Sequence, residues 1–245
     1  MTQEQLLCLE RVSVTYTSGL LRRQLTRALN EVSFSLNRGE SLGVIGRNGS
    51  GKSTLMRVLA DIIRPTSGNL RRSPGIRAAL LALKVGFLPH LTGRENAFLS
   101  GMMLGMSRAE VRRRMDAIIE FSGLEDFIDD PLYTYSSGMK MRLAFSAGYQ
   151  FEPDILLLDE LLGVGDATFK HKSARVMRER IRSNATVVMV THNTSRIVDL
   201  CDRLIWLEQG TIQADGTPEH VLPAYEDFVQ QLKASGSVRL KKATT

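Results

Sequence analysis

The stretch from Val44 to Ala60, VIGRNGSGKSTLMRVLA, constrains the fold more than any other part of the chain. It begins in an apolar run, passes through closely spaced glycines and continues as a helical pattern. Gly46, Gly49 and Gly51 allow positive φ and leave room for a group to approach the backbone. Flexible backbone is costly at such a junction unless a ligand needs it. We therefore predict a strand, a loop and a helix that together bind a polyphosphate.

This loop also matches the pattern G-x-x-x-x-G-K-[ST], here GRNGSGKS, in the strand-to-helix context that the pattern requires. Lys52 is predicted to reach the β- and γ-phosphates of a nucleotide, and the Ser53 hydroxyl to coordinate Mg²⁺. A glycine-rich turn that binds nothing is the alternative. The predicted nucleotide-binding residues of the loop and the first helical turn are Gly46, Arg47, Asn48, Gly49, Ser50, Gly51, Lys52, Ser53 and Thr54.

Two later apolar strands end in residues suited to phosphate chemistry. The run ILLLDE ends in Asp159, a predicted Mg²⁺ ligand, and Glu160, which is placed to polarise an attacking water. The run VVMVTHN contains His192, which is predicted to contact a γ-phosphate. The carboxyl ends of parallel strands form the binding edge of a sheet, which favours these roles over solvated charges and a structural histidine. Glu160, His192 and Lys52 are the predicted catalytic residues.

Strand and helix patterns alternate on both sides of a mostly helical middle stretch. This order predicts an α/β fold with a parallel sheet and an inserted helical subdomain. Ser107 and Ser137 are predicted helix caps, a short insertion is expected around Leu20–Arg27, and a turn near Gln209–Gly210. We expect a single domain over 1–245, with the core at about 1–85 and 149–235, the helical subdomain at 86–148 and a flexible basic tail at 236–245.

Composition narrows the classes of protein that the chain can belong to. The apolar fraction of 43% and charged fraction of 24% are those of a folded globular protein. No apolar run approaches the roughly 18 residues that a membrane-spanning helix needs. The net charge of +6 is spread in short clusters without interleaved aromatics, so we expect no nucleic-acid partner and favour a membrane-surface one. Cys8 and Cys201 are predicted to be free thiols of a reducing compartment.

The segment YSSGMKMR, Tyr135–Arg142, resembles the signature loop of ABC transporter nucleotide-binding subunits, usually L-S-G-G-Q. A simple helix cap is the alternative for this loop alone, but its position between the phosphate loop and ILLLDE favours the signature. The resemblance covers nearly the whole chain and implies an ABC ATPase fold: a P-loop NTPase core with an N-terminal antiparallel β subdomain. It implies that Tyr16 stacks on the adenine of ATP and that Asp166, in GVGD, lies in the loop joining two ATP sites. The residues that it predicts to contact the ATP of a partner subunit are Ser136, Ser137, Gly138 and Met139.

Within that family, three segments resemble the subunits that energise export of capsule, O-antigen or teichoic acid: GFLPHLTGREN, DELLGVGDATFKHKS and VTHNTSRIVDLCDRLIWLEQGTIQADGTPEHVL. The chain resembles their short form, without a carbohydrate-binding domain. The resemblance implies a homodimer of ATPases that binds ATP and Mg²⁺, works with integral membrane permease subunits and lies peripherally on the cytoplasmic face of the inner membrane. Alternatives are another export cargo, such as a lipid or drug, or a soluble ABC ATPase acting on DNA or ribosomes. A P-loop kinase is a further alternative, which we discount because the signature and His192 have no role in such an enzyme.

The chain departs from the family pattern at three positions. Ser137 replaces the first glycine of the signature pair, and Met139 replaces its glutamine. The third is a glutamine that the family places before the helical subdomain to sense Mg²⁺ and couple to the membrane partner. Leu83 lies close to that position, and no glutamine occurs between Gln24 and Gln150. Either water replaces this side chain or coupling is altered, and we expect slow hydrolysis.

Overall fold

The computed structural model describes residues 4–18, 24–81, 86–159, 165–191 and 194–234. Its N-terminal part forms an antiparallel sheet of three strands in the order β2-β1-β4. Apolar residues of the first two strands face inward and are buried, as expected for a sheet with one solvated face. The strands are β1 (Gln5–Ser18), β2 (Gln24–Asn37) and β4 (Ser67–Arg72).

The second sheet has six strands in the order β5-β6-β7-β3-β8-β9, and all neighbours are parallel except β8 and β9. The central strands β3 and β7 are buried along their whole length, which explains their continuous apolar sequences. The predicted parallel α/β fold is therefore confirmed. The strands are β3 (Ser41–Ile45), β5 (Ala78–Leu81), β6 (Ile155–Asp159), β7 (Thr186–Val190), β8 (Arg203–Glu208) and β9 (Thr211–Gly216).

Helices cover the two faces of the central sheet and form a group of their own. α1 (Lys52–Leu59) packs against β2, β5 and β6, so it lies between the two sheets. A separate apolar cluster joins α2 (Gly93–Met103), α3 (Arg108–Ser122) and α4 (Ser137–Tyr149). The remaining helices lie on the side of the central sheet away from α1: α5 (Ala167–Arg182), α6 (Thr194–Leu200) and α7 (Pro218–Ala234).

The structure confirms the predicted cap at Ser107 and the predicted turn near Gln209–Gly210, and it corrects the predicted insertion around Leu20–Arg27. Ser107 caps α3 in a capping box with Glu110, and Gln209 and Gly210 have positive φ of 49° and 78° in the turn from β8 to β9. The insertion expected around Leu20–Arg27 is in part regular strand. Residues 24–27 belong to β2 and pair in sequence with residues 15–18 of β1, so the two strands form one long hairpin. Residues 19–23 lie outside the described residues.

A partly buried ion-pair network connects strands β2, β8 and β9. Arg203, at the start of β8, donates to Asp215 of β9 at 2.5 Å and to Glu40 at 3.0 Å, and also to the backbone carbonyl of Ser35 at 2.9 Å. The hydrogen bonds to Asp215 and Glu40 raise the pKa of Arg203 above its ordinary value. Since the Glu40 side chain is only 10% exposed, loss of the guanidinium leaves this carboxylate without its cation.

Both cysteines are free, as predicted: Cys201 is buried and Cys8 is partly exposed. Burial raises the pKa of the Cys201 thiol to about 12, which makes it unreactive in the folded protein. In the described part of the chain, every helix is too short or too polar to cross a bilayer.

Candidate nucleotide-binding site

The glycine-rich loop runs from the end of β3 at Ile45 to the start of α1 at Lys52, as the sequence predicts. Gly46, Gly49 and Gly51 have positive φ of 151°, 80° and 108°, which confirms the expected backbone. The back of the loop rests on the β8–β9 hairpin. A Cβ atom on Gly46 would lie 1.9 Å from the carbonyl oxygen of Leu207, whereas a Cβ on Gly49 would meet nothing within 4 Å. Packing therefore requires a glycine at position 46, whereas Gly49 faces open space.

Lys52 opens α1 and its ammonium group lies inside the loop. The residue is 7% exposed, and its Nζ donates to the carbonyl oxygens of Gly46 at 2.6 Å and Arg47 at 2.8 Å. Burial of a charge is tolerated only with strong polar partners, which these carbonyls supply. The positive end of α1 and this ammonium together favour an anion at the mouth of the loop.

A pocket of 500 Å³ opens on the front of the loop. Its lining unites residues distant in sequence, because β3, β6 and β7 end at the same edge of the central sheet and Asp159 pairs with Val190. Of the predicted ATP-binding and metal residues, those in the lining are Asn48, Gly49, Gly51, Lys52, Ser53, Thr54 and Asp159.

The other predicted members of the site stand around this pocket. Tyr16 is 38% exposed, and its hydroxyl lies 3.4 Å from the Thr54 Oγ1, which places the ring beside the pocket. Gly46 and Ser50 are on the back of the loop, where the N–H of Gly210 donates to the Ser50 carbonyl at 2.9 Å. Arg47 also turns away from the pocket and pairs with Glu208, at 2.7 Å. This pairing raises the pKa of Arg47.

Three predicted residues fall outside the part of the chain that the structure describes. They are Glu160, which directly follows the described Asp159; His192, which follows β7; and Leu83, which follows β5. Their roles remain predictions from the sequence.

The candidate signature loop begins α4, with one change from the prediction. Ser136, not Ser137, is the N-cap: its backbone is extended, and its side-chain oxygen accepts from the N–H of Met139 at 3.1 Å. Ser137 is the first helical residue, followed by Gly138. Both serines are exposed and neither lines the pocket at the phosphate loop of the same chain.

Tyr135 anchors this loop from behind. It is 4% exposed, and its hydroxyl donates to the carbonyl oxygen of Phe127 at 2.5 Å. Burial raises its pKa to about 12. A Cβ on Gly93 would lie 2.1 Å from this hydroxyl, so the tyrosine fills the space that glycine leaves. The residue that precedes the N-cap of α4 is thus fixed by a hydrogen bond to Phe127 and by packing against Gly93, the first residue of α2.

Asp166 is the N-cap of α5 and accepts from the N–H of Phe169 at 2.9 Å. Its other oxygen lies 4.0 Å from the Nε of Arg142 on α4, at the limit of an ion pair. The Arg142 Nε is buried and has no hydrogen-bond partner in the described ranges. The predicted inter-site residue therefore lies beside the helix that begins with the candidate signature.

Sequence reasoning missed two parts of this site. Thr26, Arg27 and Ala28 of β2 line the pocket, and Glu208 holds Arg47 from a strand that ends 161 positions later. The long hairpin and the order of the sheet create both arrangements. No local signal in the sequence marks them.

Comparison with known proteins agrees with this geometry. A family model described as ABC transporter matches residues 29–163. The O-antigen export system ATP-binding protein RfbB of Klebsiella pneumoniae is 44% identical over 207 residues, which cover 84% of this chain and 84% of that protein. RfbB of Myxococcus xanthus is 44% identical over 90% of this chain, and the teichoic acids export ATP-binding protein TagH of Lactococcus lactis is 44% identical over 84% of it. The chain spans 50% and 44% of the length of those two relatives.

Solved structures show the same fold. An ATP binding subunit of an ABC transporter is 25% identical with a TM-score of 0.71, covering 90% of this chain and 93% of its own. A dimeric ATP-binding cassette in a post-hydrolysis state bound to ADP and Pi has a TM-score of 0.68 over 86% of this chain and 98% of its own; at 23% identity it supports the fold alone. Fold and site together define an ATP-binding cassette. The chain belongs to the ABC transporter family.

Proposed function

We propose that this chain is the ATP-hydrolysing subunit of an ABC transporter that exports a cell-surface polysaccharide of the capsule, O-antigen or teichoic-acid type. The observation that carries the ATPase part is the pocket at the phosphate loop, where Lys52, Ser53 and Asp159 meet. The cargo rests on the relatives, which are named for O-antigen and teichoic acid export. The working position would be peripheral, on the cytoplasmic face of the inner membrane.

The triphosphate of ATP would lie across the mouth of the loop. Successive N–H groups at the start of α1 bind phosphate oxygens, and the buried Lys52 ammonium balances their charge. The exposed ring of Tyr16, whose hydroxyl lies 3.4 Å from the Thr54 Oγ1, would stack on the adenine.

The donors at the pocket fit Mg²⁺, which prefers oxygen ligands and retains several waters. The hydroxyl of Ser53 and the carboxylate of Asp159 both line the pocket and would hold the ion. When bound there, Mg²⁺ would supply positive charge that offsets the negative charge of the phosphates. Glu160 then polarises the attacking water, His192 contacts the γ-phosphate, and Lys52 stabilises the transferring charge.

A second copy of the chain would complete the site. Ser136 and Ser137 are exposed at the start of α4, outside the pocket of their own chain. A helix N-terminus with exposed hydroxyls suits capture of a γ-phosphate. In a homodimer each signature closes over the ATP of its partner, and Asp166, which lies beside α4, joins the two sites.

The permease would bind the helical part of the chain. A groove of 640 Å³ lies between α2 and α3, with an apolar lining that includes Leu91, Phe98, Leu99 and Met115. Charged side chains of both signs accompany them, which suits a short amphipathic helix on the cytoplasmic side of a membrane protein. Movement of α4 on dimer closure would reach this groove through the shared apolar cluster of α2, α3 and α4.

The test uses two variants of the purified protein and the same variants in cells. Glu160→Gln should bind ATP, elute as a dimer with ATP and Mg²⁺, and hydrolyse at least about a hundred-fold more slowly, because it loses the group that polarises water. Lys52→Ala should lose ATP binding and, in cells, surface polysaccharide. Normal turnover by Glu160→Gln would remove its catalytic role. Intact export with Lys52→Ala, or recovery of the protein on ribosomes or DNA instead of with a permease, would refute the function.

A further inference from the structure

The side chain of Arg47 connects the phosphate loop to the last described helix. Its Nε and Nη2 donate to one oxygen of Glu208, at 2.9 and 2.7 Å. Its guanidinium carbon lies 5.6 Å from the ring centroid of Phe228, on α7. A guanidinium over an aromatic face is attracted by the ring quadrupole. Arg47 is therefore held from two elements, neither of which lines the nucleotide pocket.

Glu208 is a strong anchor because it is itself buried. The residue is 7% exposed at the end of β8, and its second oxygen is also buried, with no hydrogen-bond partner in the described residues. A buried carboxylate that loses its cation is strongly disfavoured. The ion pair therefore keeps Arg47 on the back of the loop.

Phe228 is fixed by aromatic packing against the sheet. Its ring lies 5.0 Å from that of Trp206 on β8, and Tyr225, one turn earlier on α7, lies 5.6 Å from the same indole. Aromatic rings at these distances prefer offset-stacked or edge-to-face arrangements, which restricts the orientation of the Phe228 ring. The position of α7 thereby determines the position of the ring on which Arg47 rests.

The backbone of Arg47 carries this constraint into the active site. Its carbonyl oxygen accepts from Lys52 Nζ at 2.8 Å and from the N–H of Ser50 at 3.1 Å. A displacement of the Arg47 backbone would move this carbonyl, which together with the Gly46 carbonyl holds the Lys52 ammonium. α7 is thus connected to the phosphate-binding ammonium through a single residue.

We propose that Arg47, Glu208 and Phe228 form a phosphate-loop clamp, through which α7 positions the loop and Lys52 for ATP. The three are positioning residues, not catalytic ones, and the proposal rests on the proposed ATP site. The clamp supports the loop equally before and during hydrolysis, so its loss raises KM and leaves kcat nearly unchanged. Coupling is reciprocal: ATP binding must also stabilise the part of α7 around Phe228.

The first experiment needs no nucleotide. Hydrogen exchange is measured on the full chain for the amides of residues 48–54, in the parent and in Phe228→Ala. We expect about five-fold faster exchange in the variant, because local opening of the loop becomes easier when its support is removed. Phe228→Tyr, which retains an aromatic face, should restore the parent rate. Val221→Ala is the matched control, because Val221 is buried on α7 but has no contact with Arg47 among those described.

The second experiment measures ATP. Phe228→Ala and Glu208→Gln should each raise the Kd for ATP and the KM about five-fold, equivalent to about 1 kcal/mol, with kcat within about two-fold of the parent. ATP should slow exchange in α7 of the parent and not of Phe228→Ala. The clamp is refuted if Phe228→Ala leaves loop exchange unchanged, or if Val221→Ala accelerates it equally. A parent protein that binds no ATP would refute the proposed function, while loop exchange would still decide the clamp.

Discussion

Gly46 and Gly49 are both glycines of the phosphate loop, but the structure gives them different reasons to be glycine. We predict that Gly46→Ala destabilises the fold, whereas Gly49→Ala mainly weakens ATP binding. At Gly46 the new methyl would lie 1.9 Å from the Leu207 carbonyl oxygen and 2.6 Å from the Ser50 Oγ. Because the nearest atom is backbone of β8, relief requires movement of the loop or of the strand.

The magnitudes follow from these contacts. Overpacking of a well-packed site costs about 1–3 kcal/mol and sometimes more, and a side chain at positive φ adds about 1–2 kcal/mol. Because the new methyl at Gly46 meets backbone at 1.9 Å, the overpacking cost should lie in the upper part of its range, and we expect Gly46→Ala to lower the free energy of unfolding by about 3–5 kcal/mol. At Gly49, φ is 80° and a methyl group meets nothing within 4 Å, so only the backbone strain of about 1–2 kcal/mol remains.

Urea denaturation separates the two variants. With a slope of about 3 kcal/mol per molar urea, the midpoint should fall by about 1–1.7 M for Gly46→Ala and by about 0.3–0.7 M for Gly49→Ala. Titration with ATP should show at least about a tenfold loss of affinity for Gly49→Ala, since its methyl occupies space that a phosphate needs. Equal midpoints for the two variants would refute the packing argument. Unchanged ATP affinity of Gly49→Ala would show that no phosphate approaches this glycine.

Three further predictions concern the fold. Tyr135→Phe should cost about 1–2 kcal/mol at pH 9 through a lost buried hydrogen bond. Folding raises the pKa of the Tyr135 phenol from 10.0 to about 12, so this group stabilises the parent fully below pH 10 and less as the pH rises further. The stability difference between Tyr135→Phe and the parent should therefore shrink by about 1 kcal/mol at pH 11. Urea midpoints measured at pH 9 and pH 11 test this. Arg203→Met should cost about 3–4 kcal/mol in urea denaturation. Arg11→Met, which removes the exposed ion pair between Arg11 and Glu31, should cost less than about 0.5 kcal/mol, and similar losses for the two variants would contradict the role of burial. A thiol reagent at pH 8 should label Cys8 in the folded protein and Cys201 only after unfolding, which mass spectrometry detects.

Much of the candidate site was predictable because its signals are local. Strand, glycine loop and helix are adjacent in the chain, so composition and spacing alone placed the loop between Ile45 and Lys52. The apolar run that ends at Asp159 likewise identified a buried strand with a carboxylate at its binding edge. Where neighbouring residues share the same chemistry, the sequence is ambiguous. Ser136 and Ser137 both can cap a helix, and only the extended backbone of Ser136 decides between them.

The sequence by itself determined the elements and the chemistry of the phosphate loop, since hydrophobic periodicity and glycine spacing act over a few residues. Only the tertiary structure decided what surrounds that loop. The order of the strands brings Asp159 to the pocket, the register of β1 and β2 adds Thr26 to its wall, and α7 reaches Arg47 from the opposite side. These contacts join residues far apart in the chain. Their existence depends on how buried faces pack together, a property of the whole molecule that no short segment encodes.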